Sequence, residues 1–148
     1  MKASKIKITF MILFLIGIGV VWISLRPVQI IAIHHNGAYT DIVVKHFPLT
    51  EKQKITWWKK NGQSIEKKYG FPTDEIDGYS SISIWNIGDG YKEKGKYDRK
   101  CFNDMKNKEN CIEKDRLLII ENYKNGKVNF TDKNRYTQLP NGKIVEEK

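Results

Sequence analysis

ITFMILFLIGIGVVWISL, residues Ile8 to Leu25, contains no charged side chain and is bracketed by Lys2, Lys5 and Lys7 before it and by Arg26-Pro27 after it. An α-helix rises about 1.5 Å per residue, so roughly 20 apolar residues cross the hydrocarbon of a bilayer, and a helix satisfies its own backbone hydrogen bonds there. Pro27 lacks the N–H that would continue the ladder and marks the stop. The run predicts one transmembrane helix over residues 8–25, with residues 1–7 on one side of the membrane and residues 26–148 on the other. Three lysines precede the run, whereas only Arg26 follows it before Lys45. That asymmetry predicts a cytoplasmic N-terminus and a periplasmic domain, in a single-pass protein of the bacterial inner membrane. A cleaved signal peptide is the competing reading. Against it stand a run longer than the about 7 to 15 apolar residues of a signal, the lack of an Ala-x-Ala site, and Trp22 near the far edge as an interfacial anchor.

Residues 26–148 have the size of one ordinary domain, enough to bury a core. The chain carries 26 basic and 17 acidic residues, a formal net charge of +9. Lys2, Lys5, Lys7 and Arg26 belong to the anchor and its flanks, leaving 22 basic against 17 acidic side chains, or +5. This excess reads first as a solvated lysine-rich surface, and otherwise as contact with acidic lipid head groups or an acidic protein. Nucleic acid is not expected, since the topology places the charge outside the cytoplasm and no recognition motif occurs.

The domain opens with VQIIAIHHNGAYTDIVVKHFP. Ile31 and Ile33 alternate with Ala32 and His34, Asn36-Gly37 supplies a tight turn, and Ile42-Val43-Val44 gives a β-branched return, so a β-hairpin leaves the membrane almost directly. Thr50 and Gln53 form a capping box that opens a helix. Ile55, Trp58, Gly62, Ile65 and Tyr69 recur at steps of 3, 4, 3 and 4 and share one helical face, and Gly70 ends the helix. Asn61-Gly62 leaves open a kink or two short helices. After a polar link, TDEIDGYS, the stretch SISIWNIG alternates as a strand. LLIIENY, KVNFT, RYTQL and KIVEE then follow, separated by turn residues as in an antiparallel meander. The expected class is α+β: one small domain of antiparallel strands with one main helix, behind the membrane helix.

Between Tyr91 and Asp115 the chain is charged and poor in aliphatics, and it holds the only two cysteines, Cys101 and Cys111. Thiols in an oxidising compartment pair, so the topology predicts a Cys101–Cys111 disulfide. No cofactor and no metal site are expected: the three histidines, His34, His35 and His46, cluster around the first hairpin without a matching carboxylate or thiolate pattern. His34 and His46 are placed to meet across that hairpin. No G-x-S-x-G, H-E-x-x-H or P-loop pattern occurs, and Asp89, Glu93, Asp98 and Asp104 read as surface ion-pair partners among lysines. The protein is therefore not expected to be an enzyme.

Aromatic residues stand out instead. Trp57 and Trp58 are adjacent and point about 100° apart on a helix, so if Trp58 faces the core, Trp57 faces its flank or a partner. Tyr91, Tyr97 and Phe102 are interleaved with Lys92, Lys94, Lys96 and Arg99, a mixture that suits a binding surface. Trp57, Tyr91, Tyr97 and Arg99 are the candidate binding residues. The pieces Ser24-Leu25-Arg26-Pro27-Val28, Phe47-Pro48, Trp57-Trp58, Asp89-Gly90-Tyr91, Lys96-Tyr97-Asp98-Arg99, Cys101-Phe102 and Asn110-Cys111 together resemble the enterobacterial family of inner-membrane proteins of unknown function. The resemblance spans nearly the whole chain and implies a Gram-negative envelope protein. It supplies no catalytic residues to transfer.

Two function classes follow. In the first, a domain tethered to the inner-membrane lipid bilayer binds a protein partner, as an immunity factor against an incoming envelope toxin or as an accessory of an envelope or secretion complex; tethering raises its local concentration there. In the second, an envelope enzyme or ligand sensor gathers some of His34, His46, Asp89 and Asp98 into a pocket. Convergence of those side chains in space separates the two.

Overall fold

The anchor run forms α1, Lys2–Ser24, and Lys5–Ile23 is long and apolar enough to cross a membrane by length and composition. Its large apolar side chains from Ile6 to Ile23 are exposed, and the Thr9 hydroxyl donates to the Lys5 carbonyl at 3.0 Å. The computed structural model describes residues 2–71 and 78–147. Pro72 and most of the polar link that follows it lie outside the described residues.

Beyond α1 the chain forms β1 (Gln29–Asn36), β2 (Tyr39–Lys45), α2 (Glu51–Tyr69), β3 (Tyr79–Asn86), β4 (Arg99–Cys101), β5 (Cys111–Glu113), β6 (Arg116–Tyr123), β7 (Val128–Thr131), β8 (Arg135–Gln138) and β9 (Ile144–Glu147). The class is α+β. Seven strands make one sheet in the order β1-β2-β3-β6-β7-β8-β9, and β4 pairs with β5 in a separate ribbon. The β1–β2 hairpin turns at Gly37, whose φ of 60° suits a residue without Cβ. All pairs in the sheet are antiparallel except β2 with β3, which run parallel from Tyr39 opposite Ser81 to Val44 opposite Asn86. The strands are antiparallel as expected, with this one parallel pair among them. α2 carries the chain back along the sheet, so β3 must start at the end where β2 starts.

α2 is one uninterrupted helix. The capping box is formed as its sequence requires: the Thr50 hydroxyl accepts from the Gln53 N–H at 3.3 Å, and Gln53 Oε1 accepts from the Thr50 N–H at 3.4 Å. Gly70 closes the helix in the left-handed conformation. Gly62 causes no kink; it makes room for a ring, since a Cβ there would stand 2.7 Å from Trp58 Cε2. Ile55, Trp58 and Ile65 pack with Ile42, Val44, Ile82, Ile84, Leu118, Ile120 and Phe130 of the sheet. Tyr69, expected on the same face, is 39% exposed and lies outside this core. The opposite face of β2 and β3 carries a second, smaller core in which Val43, Trp85 and Ile87 meet Phe102 and Ile112 of the ribbon. Period-two alternation puts Ile42 and Val44 on one side and Val43 on the other, so β2 is buried on both.

The charged insertion folds as this ribbon because Cys101 and Cys111 face each other across it and are bonded. Closing so short a loop restrains the unfolded chain, and replacing both cysteines by serine should cost roughly 3 kcal/mol in the chain-entropy account. Urea unfolding of the serine variant checks this, together with thiol labelling of the native protein, which should find neither sulfur reactive. Glu51, at the start of α2, accepts from the backbone N–H groups of Lys133 and Asn134 at 3.0 and 2.7 Å and ties the β7–β8 turn to the helix. The Asn134 N–H foremost, with the Asn134 amide and the Tyr136 hydroxyl, holds its carboxyl below the ordinary value.

Candidate functional site

His34, near the end of β1, is 7% exposed and is held on every side by the ribbon. Its Nδ1 lies 2.7 and 2.9 Å from the two carboxylate oxygens of Asp104, its Nε2 lies 3.1 Å from the Tyr91 hydroxyl, and its ring stacks on Phe102 with centroids 3.9 Å apart. Burial, and then the charge of Asp104, raise the Tyr91 pKa above that of a free phenol. Nδ1–H donates to the ionised Asp104, and Nε2 shares a second hydrogen bond with the Tyr91 hydroxyl. Both ring nitrogens are thus engaged, as in a clamp that holds the ribbon to β1. Beside it Asp41 accepts from Trp85 Nε1 at 2.7 Å and pairs with Lys100 at 2.7 Å, at the edge of a polar cavity of about 300 Å³.

The pocket drawn from His34, His46, Asp89 and Asp98 is not assembled. His34 stands opposite Asp41 in the hairpin, whereas His46 lies beyond Lys45, which pairs with Gln29 at the other end; the two histidines do not meet. Asp89 pairs with Lys92 and Asp98 with Lys114, both carboxylates in solvent. Asp104 is the acidic residue that His34 uses, and the 70 positions between them hid the pairing.

The four candidate binding residues separate onto two sides of the sheet. Tyr91 is half-buried against His34 and Phe102. Arg99 is ordered within the ribbon: Nε donates to Glu113 at 3.0 Å, a terminal nitrogen donates to the Glu93 carbonyl at 2.7 Å, and the guanidinium covers the Tyr97 ring at 4.6 Å. Arg99 and Lys92 hold the Glu113 carboxyl below its usual range. Tyr97 is 57% exposed, so of these three it is the one presented to solvent. Trp57 lies on the α2 side, half-buried, packing edge-on against Phe47 with centroids 5.1 Å apart.

A surface that the sequence reading missed lies on the sheet face opposite α2. Tyr39, Tyr79 and Tyr123 form a row across β2, β3 and β6, with successive ring centroids 6.5 and 5.4 Å apart. Tyr79 donates to Glu121 at 2.9 Å, and Glu121 accepts from Arg135 at 2.6 Å, so the row is braced at its base. Burial, then the bond to Glu121, raises the Tyr79 pKa and keeps it a donor. Tyr39 is 57% exposed. A sequence signal existed: all three tyrosines have opposite parity to the core residues of their own strands, Ile42, Ile82 and Ile120, and so point away from α2.

A family model described as "Enterobacterial putative membrane protein (DUF943)" matches residues 1–148. No curated protein and no solved structure matches the chain.

Proposed function

We propose, from the premise that this chain belongs to the enterobacterial membrane-protein family DUF943, that it is a single-pass inner-membrane protein whose periplasmic domain captures a protein partner on the part of the sheet face opposite α2 that the ribbon leaves uncovered. The row of Tyr39, Tyr79 and Tyr123 carries this reading. Tyrosines offer large, amphipathic contact area at low conformational cost and are enriched where interfaces concentrate their energy. Strands hold these three rings in place before any partner arrives, which lowers the cost of binding. Tyr97, on the ribbon that covers the same side of the sheet, extends the surface, with Arg99 and Tyr91 as positioning residues. The domain acts as a binding module and not as an enzyme. Tethering suits an immunity factor that meets a toxin at the membrane, or an accessory of an envelope or secretion complex.

A photo-crosslinking amino acid placed at position 39 in the full-length protein, expressed in its host envelope, should yield a discrete covalent adduct. The same probe at position 60, on the exposed face of α2, should not. Combining Tyr39→Ala with Tyr123→Ala should weaken capture at least about tenfold, the effect of losing one modest hot spot. Equal adducts at both positions, or capture unchanged by the double substitution, would sink the reading.

A further inference from the structure

The α2 side of the sheet carries a second site, at the point where the chain leaves α1. A groove of about 410 Å³ begins at Arg26, passes Ile30 on β1 and runs along Trp57, Ser64, Lys68 and Tyr69 of α2. Arg26 lies three residues beyond Ile23, the end of the membrane-crossing stretch, and three residues reach at most about 11 Å. The groove therefore opens at the level of the lipid head groups. Its two cations have no carboxylate partner among the described residues. Each instead rests on a ring: the Arg26 guanidinium 5.0 Å from the Trp22 centroid, and Lys68 Nζ 5.3 Å from that of Tyr69.

We propose that this groove holds one anionic phospholipid of the adjoining leaflet, its phosphodiester between Arg26 and Lys68 and the start of an acyl chain along Ile30 and Trp57. Charge complementarity selects the phosphate, and a charge-assisted bond to guanidinium or ammonium is among the stronger polar contacts. No carboxylate lines the groove among the described residues, so the ammonium of a zwitterionic head group finds no partner there and a net anionic one is preferred. Trp57 and Tyr69 supply the amphipathic rings that settle between apolar and wet layers. The site rests on α1 crossing the bilayer and is independent of the protein partner on the opposite face.

Full-length protein is reconstituted into vesicles of phosphatidylglycerol and phosphatidylethanolamine, floated, then extracted for native mass spectrometry. One phosphatidylglycerol should be retained in preference to phosphatidylethanolamine, and excess inorganic phosphate should not displace it. Joint replacement Arg26→Gln and Lys68→Gln should reduce retention about thirtyfold, as two surface cations near a membrane imply. Lys67→Gln, the neighbouring exposed lysine outside the groove, should leave it unchanged. Arg26 and Lys68 are exposed, so unfolding midpoints should match the wild type. Equal retention of the two lipids, displacement by phosphate, or an equal loss with Lys67→Gln would overturn the site while leaving the anchor intact. Failure of the wild type to float would overturn the anchor and the site together.

Discussion

Trp58→Ala should lower the unfolding free energy of the domain by about 3 to 5 kcal/mol in urea denaturation, because a large ring leaves a well-packed core and the surroundings collapse only in part. Trp58 is 7% exposed and packs with Ile55 and Ile65 of α2 against the sheet. Its seat is made by Gly62, where a Cβ would stand 2.7 Å from the ring. Gly62→Ala should therefore destabilise the wild type, although alanine is favoured over glycine inside a helix by roughly 1 kcal/mol. With Trp58 already truncated, the same change should become neutral or stabilising, and this reversal identifies the clash as the cause. Trp57→Ala is the comparison. The neighbouring ring is half-buried against Phe47, so its loss should cost about 1 to 2 kcal/mol rather than nothing.

Asp132→Ala should be nearly as damaging, at about 3 to 5 kcal/mol, because it strands a charge in the interior. Lys54 is 7% exposed, and its ammonium is held by the Asp132 carboxylate at 2.6 Å and by the Leu117 carbonyl at 3.1 Å. Asp132 links the β7–β8 connection to α2, so the pair joins helix and meander. Replacing both partners, Lys54→Met with Asp132→Leu, should recover most of the loss, since apolar groups of similar size leave no unpaired charge. Equilibrium unfolding of the single and double variants measures the difference; equal damage from both would show that the pair acts through packing alone.

What could be read from the chain was what is encoded locally. The long apolar helix α1 follows from a charge-free run, the start of α2 from Thr50 and Gln53, the first hairpin from Asn36-Gly37, and the meander from alternation between turn residues. The structure adds what depends on partners far apart in sequence. Lys54 sat among surface-type lysines, and its acid lies 78 positions later. Phe102 and Ile112 have little apolar company in their own stretch; their core partners Val43 and Trp85 belong to the central strands. The parallel pairing of β2 with β3 is a property of the helical return between them. The candidate binding residues were grouped by composition, yet a sheet separates Trp57 from Tyr97, because neighbours along a chain need not share a face.

The proposed account stands on a domain held outside the cytoplasm by α1, and one measurement tests it most directly. Alkaline phosphatase, active only after export, is fused behind Lys148 and the product is fractionated. The account predicts an active fusion of full length in the inner-membrane fraction. An inactive fusion, or a shortened soluble form released by cleavage behind the apolar run, would contradict it.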